Sequence, residues 1–274
     1  MPDKFWLGDS GDLNAGSNYT GGTKPLAGDR LFFAAKHPNP PTSNLNALAA
    51  VGLSFVQFGA GFPSDVGTPT EPLELSATKV VHEGAGTVCL KDGGSTTGLV
   101  IIDSPSPGVA AVVAGDITRL NVVRGLLRGT SDLDSVSVLE VQRLAKALID
   151  EGAGAIAQAF NDGGEVTCSA AVTALLNSAG RWLQKVEEIA TGHVPGGSLV
   201  YNSPASTGTM GTVYVGSRGV LDLLQNTEVK AIGTLMAAPG AQVKYNKDLT
   251  TITNDFDMSE LFSPHGGVPA SPTS

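Results

Sequence analysis

The chain is poor in cysteine, aromatic residues, basic charge and long apolar runs. Its only cysteines, Cys89 and Cys168, stand far apart with no CxxC or Cys/His spacing. That excludes a disulfide framework and a zinc cluster, and leaves two buried free thiols as the expectation. Lys and Arg number 17 against 26 Asp and Glu, for a net charge of −9. Affinity for nucleic acid comes largely from clustered basic residues, so no nucleic-acid partner is expected. No stretch reaches the ~18 apolar residues of a membrane-crossing helix. The opening Met1-Pro-Asp-Lys-Phe-Trp6 has no apolar segment of a signal peptide. A soluble protein without a cleaved leader or a membrane partner is expected.

Glycine, by contrast, is abundant: 35 of 274 residues, against a usual share of ~7%. Gly61, Gly86, Gly108, Gly125, Gly163, Gly180, Gly197, Gly219 and Gly240 each sit between short runs of aliphatic and β-branched residues. The gaps are 17 to 25 residues, apart from one of 38 that halves to 19 if Leu144 takes a glycine's place. A period near 20 marks units that cannot bury an apolar face alone and must stack on their neighbours. With 41% apolar residues but few aromatics, the pattern predicts an all-β chain, a parallel β-helix of about ten coils over residues 36–253.

Residues 1–35 are rich in turn formers, with short strands expected at Phe5–Leu7 and Arg30–Ala34. Trp6, Gly8, Gly11 and Asp12, then Asn18, Tyr19, Gly21, Gly22, Pro25, Gly28 and Asp29, form W-x-G-x-x-G-D followed by N-[WY]-x-G-G-x-x-P-x-x-G-D. This segment resembles the opening of a group of tailed-phage virion proteins and some autotransporter-like surface proteins. The resemblance implies a right-handed parallel β-helix whose first coil is covered by an N-terminal cap, with Trp6, Tyr19, Pro25 and Asp29 as cap residues. An open solenoid end exposes apolar surface and unpaired backbone, which a Trp-containing turn can blunt.

Two features of the middle of the chain oppose the solenoid. Val138, Val141, Ala145, Leu148 and Ile149 fit a helical stripe, as do Leu175, Leu176, Ala179, Leu183 and Val186. Strand is nevertheless expected, because the glycine period runs through both stretches. The apolar pair before each glycine also shifts phase by one residue, as between Leu120/Val122 and Ala174/Leu176. Such a slip turns side chains to the other face unless a turn or bulge absorbs it. Residues 254–274 form an extended C-terminal tail that is either disordered or docks on a neighbouring subunit through Phe256, Leu261 and Phe262.

No catalytic motif survives inspection. Gly8-Asp9-Ser10-Gly11 resembles a serine-protease nucleophile turn but has no room upstream for a His and an Asp. Gly152-Ala-Gly154-Ala-Ile-Ala157 follows a clustered acidic turn rather than a buried strand. Asp132/Asp134, Asp150/Glu151, Asp162/Glu165 and Asp255/Asp257 are the acid pairs that glycoside cleavage would need, though none is joined by an aromatic platform. Asp9, Asp12 and Asn14 could ligate calcium, but turn hydrogen bonds account for them equally well. Arg143 and Asp162 could pair along the stack. His37, His82, His193 and His265 are expected in loops or at the surface. No catalytic residue, cofactor or metal is therefore assigned.

The functional expectation is a non-catalytic structural component of a tailed-phage virion, a head-associated decoration or a fibre/spike subunit. It would form a homo-oligomer, a trimer as first guess, and contact the major capsid protein or tail proteins. The alternatives are a polysaccharide-degrading tailspike-type enzyme and a surface adhesin with a β-helix passenger.

Overall fold

The computed structural model describes residues 2–34, 39–94 and 97–257. The strands of the first half are β1 (Asp3–Phe5), β2 (Arg30–Phe33), β3 (Leu48–Leu53), β4 (Phe55–Phe58), β5 (Leu73–Ala77), β6 (Lys79–His82), β7 (Val88–Asp92), β8 (Thr97–Asp103) and the long, cornered β9 (Val109–Ile149). There follow β10 (Ile156–Cys168), β11 (Val172–Gln184), β12 (Ile189–Val194), β13 (Ser198–Tyr201), β14 (Met210–Val215), β15 (Val220–Asp222), β16 (Lys230–Ala237), β17 (Gln242–Lys244) and β18 (Thr250–Asp257). The protein is an all-β parallel solenoid of about ten turns. Among the described residues there is no α-helix, only a 3-10 turn at Gly16–Asn18.

One face carries a parallel ladder through β1, β2, β4, β6, β8 and the first part of β9. The same face continues from the second part of β9 through β10, β11, β12, β14, β16 and β18. Elsewhere β3, β5, β7 and β9 pair in turn, and the ends of β9, β10 and β11 lead into β13, β15 and β17. Since strand side chains alternate, each coil sends every second residue inward, where it stacks on the equivalent residue one turn away. Leu31, Val56, Val80, Val100 and Leu120 form one such buried column.

The first helical stripe lies in β9, and the second lies in β11 apart from Val186, which falls in the bend after it. Val136, Leu139, Val141, Ala145, Ala147 and Ile149 are buried with the alternation of a strand that turns a corner. Neighbouring coils supply backbone partners along this stretch and outweigh the local helical spacing. The phase slip is absorbed at the corners. Between β10 and β11 the register shifts on either side of Asp162, beside Gly163 at φ +102° and opposite Gly180 at φ +76°. Those dihedrals belong to the left-handed region that glycine enters without cost from a Cβ. Leu144 takes the corner that faces Gly163 and Gly164, between the paired Gln142 and Lys146, and is 74% exposed.

The first strand lies at Asp3–Phe5, two residues before its expected place, and pairs in parallel with β2, so the N-terminal segment itself enters the ladder. At the other end the ladder continues through β18 to Asp257, past the expected boundary at 253. There Asp255 stands opposite Leu235, where earlier coils bury Leu175 and Val213. A carboxylate at an inward position of the last described strand opposes end-to-end growth of the stack.

Candidate functional site

The N-terminal end of the core is plugged by aromatic rings. Trp6 is fully buried, meets Tyr19 edge-on at 5.3 Å between centroids, and donates its indole N–H to Asn39 O at 3.0 Å. Below it Phe33 stacks on Phe58 at 4.7 Å, with Phe62 tilted against both. The buried Tyr19 hydroxyl donates to Leu13 O at 2.8 Å, and burial pushes its pKa well above the ordinary value. Pro25 is buried, and the Asp29 carboxylate accepts the Leu26 N–H at 2.9 Å. All four cap residues are therefore packed into the first coils. Outside them Phe5 stacks on Phe32, with Arg30 over Phe32 and Lys79 over Phe55.

Beneath this plug sits His82, fully buried and edge-on to Phe58. This corrects the expectation of a surface histidine: register places it in the column of Phe33, Phe58 and Ile102. Its Nε2 lies 3.0 Å from Gly86 O. Burial lowers its pKa below the ordinary 6.5. The neutral ring is thus favoured in the folded state, and its contribution is fully present above the unfolded pKa and lost as pH falls toward the folded one. Between pH 7.5 and 5.5 the protein should lose stability, with a slope of up to ~1.4 kcal/mol per pH unit from this one group. The His82→Phe variant should lose less over the same range. Urea titrations of both at the two pH values check this, and equal losses would refute it.

The described acids of the expected pairs face solvent or meet nearby basic and hydroxyl groups. Asp150 is bound by Arg128, at 2.7 Å. Glu165 pairs with Lys146 at 2.6 Å, which holds its carboxyl below the usual range. Asp132 and Asp134 are exposed. Asp162 accepts from Ser178 Oγ at 3.4 Å, and the expected ion pair with Arg143 is not formed. Arg124 pairs instead with Asp103 at 2.9 Å, and Arg119 with Glu140. Ser10 Oγ accepts from the buried Asn18 amide at 2.8 Å. Asp12 accepts from Asn14 N and Asn44 Nδ2, both at 2.7 Å, and these bonds lower its pKa, the Asn44 bond foremost. Among the described residues no group of three or more His, Cys, Asp or Glu could hold a metal ion. Cys89 and Cys168 are free and buried, and burial raises their thiols to about 11 and about 12.

The feature that the sequence did not disclose lies on the outer surface of the lower coils. Register aligns Glu140, Phe160, Leu176, His193, Tyr214, Met236 and Phe256 in one outward column. Phe160, Leu176 and Phe256 are 37%, 36% and 56% exposed, and the His193 and Tyr214 rings touch at 5.7 Å. A parallel column two residues earlier reads Gln158, Ala174, Thr191, Thr212, Thr234 and Asn254. A shallow cavity of about 260 Å³ opens over Phe160, Leu176 and His193. From Phe160 to Phe256 neither column contains Asp, Glu, Lys or Arg. Phe256, expected as an anchor in a free tail, is instead part of the ladder, opposite Met236. Leu261, Phe262 and His265 lie outside the described residues, as does His37.

No family model, curated protein or solved structure matches the chain.

Proposed function

We propose that this chain is a non-catalytic structural component of a tailed-phage virion, a decoration or fibre/spike subunit that works as a homo-oligomer beside capsid or tail proteins. The observation that carries the reading is the first coil. Trp6, Tyr19, Pro25 and Asp29, which bear the resemblance to virion β-helix proteins, are all buried there and close the end of the apolar columns. A rod plugged in this way protects its core and its backbone edge, which suits a part that persists outside the cell. The charge-free outer strip supplies a surface through which such a rod can assemble. Mass spectrometry of purified particles from the producing culture should find the chain in copy numbers stoichiometric with other virion proteins. Its absence from intact particles would remove the virion reading.

A further inference from the structure

The outer strip on β10, β11, β12, β14, β16 and β18 differs from the rest of the same face. Its upper part carries Arg30, Lys79 and Arg119 outward, with Asp3 and Glu140 as partners. Below Glu140 the charges stop, and the two aligned columns offer only aromatic, aliphatic, hydroxyl, amide and imidazole groups. Six coils at ~4.8 Å and two outward columns about 7 Å apart make a narrow strip about 24 Å long.

We propose that this strip is the contact with further copies of the same chain, packed in parallel around a rotational axis along the rod. Two arguments select that occupant. The chain carries a net charge of −9, so copies repel one another wherever their acidic surfaces meet, and this strip is free of that cost. In a parallel rotational assembly each residue near the axis also meets its own equivalents. Any charged residue there would face its own sign, whereas Phe160, Leu176, Tyr214 and Met236 can pack on themselves. Thr191, Thr212 and Thr234 can exchange hydrogen bonds with their copies. This deepens, and rests on, the reading of the chain as a homo-oligomeric structural protein. It does not depend on the particle that houses it, which the mass spectrometry of virions tests separately.

Sedimentation of the purified full chain at ~10 μM should give a multiple of the 27.9 kDa chain mass. The Phe160→Glu/Tyr214→Glu variant should sediment as a monomer with an unchanged circular dichroism spectrum and melting temperature, both sites being on the outer face. A Thr212→Cys variant should form a disulfide with its own copy under mild oxidation, at least tenfold faster than a Glu151→Cys control at an exposed turn. The two native thiols are buried and do not compete. A monomeric wild type, an oligomer that survives the double substitution, or equal crosslinking of the two cysteine variants would each overturn the proposal. Retention of a monomeric wild type on polysaccharide, lost in the Tyr214→Glu variant, would assign the strip to glycans instead.

Discussion

The Phe58→Ala variant is expected to lose about 3–5 kcal/mol of stability, the range for removing a large aromatic side chain from a packed core. Phe58 is fully buried, stacked on Phe33 with an interplanar angle of 5°, edge-on to His82 and tilted against Phe62. The cavity left by its ring cannot collapse easily. Parallel ladders set the spacing of Phe33, Phe58 and His82 through the backbones of β2, β4 and β6, so the neighbours cannot slide together. Stability in a solenoid is largely a sum over coils and their nearest neighbours, so the loss should be local. Hydrogen exchange should show β1, β2, β4 and β6 opening first while β14 to β18 keep their protection. A loss below ~1 kcal/mol, or one spread evenly over all coils, would contradict the aromatic plug as the element that holds the N-terminal end.

The second large effect is expected at Asn177. This residue and Asn161 are fully buried in an inward column whose next member above is Val141. Asn161 Nδ2 donates to Asn177 Oδ1 at 2.9 Å, Asn177 Nδ2 donates to Ser198 O at 2.9 Å, and Asn161 also bonds both backbone groups of Gly164. The ladder secures a corner at which three successive coils change direction. Replacing Asn177 by Ala deprives Ser198 O of this donor and leaves Asn161 with Gly164 alone. Losing partners from buried polar groups costs about 1–3 kcal/mol each, so the total for the two groups should be about 2–6 kcal/mol. The two asparagines share one bond, so the Asn161→Ala/Asn177→Ala double variant should lose less than the sum of the singles. A double-mutant cycle from urea unfolding measures this, and strict additivity would mean that the ladder is not a unit.

Much of the architecture was legible because it rests on local rules. Glycines at a period near 20 residues, alternating aliphatic runs and scarce aromatics describe a chain that turns often and stacks narrow strands. Trp6, Tyr19, Pro25 and Asp29, singled out in the sequence, are all buried in the first coils. Even the defect at Leu144 was placed correctly, since a corner can carry an exposed leucine when the backbone there needs no left-handed turn. His82 was not legible. Its neighbours in sequence, Val81 and Glu83, say nothing of a ring, and what makes it a core residue is Phe58 in one adjoining strand and Ile102 in the other.

The outer strip shows the same division more sharply. The sequence by itself determined that this chain coils, turns at its glycines and carries excess negative charge. Composition and short-range pattern are sufficient for those properties. Only the tertiary structure decided which residues share a surface. Coils range from 16 residues between Asn161 and Asn177 to 27 between Asp3 and Arg30, so no constant spacing connects Phe160, Leu176, His193, Tyr214, Met236 and Phe256. Their alignment comes from backbone register, which the bulges and turns of each corner reset. A surface built one residue per coil is therefore written into the chain but becomes visible only once the coils are stacked.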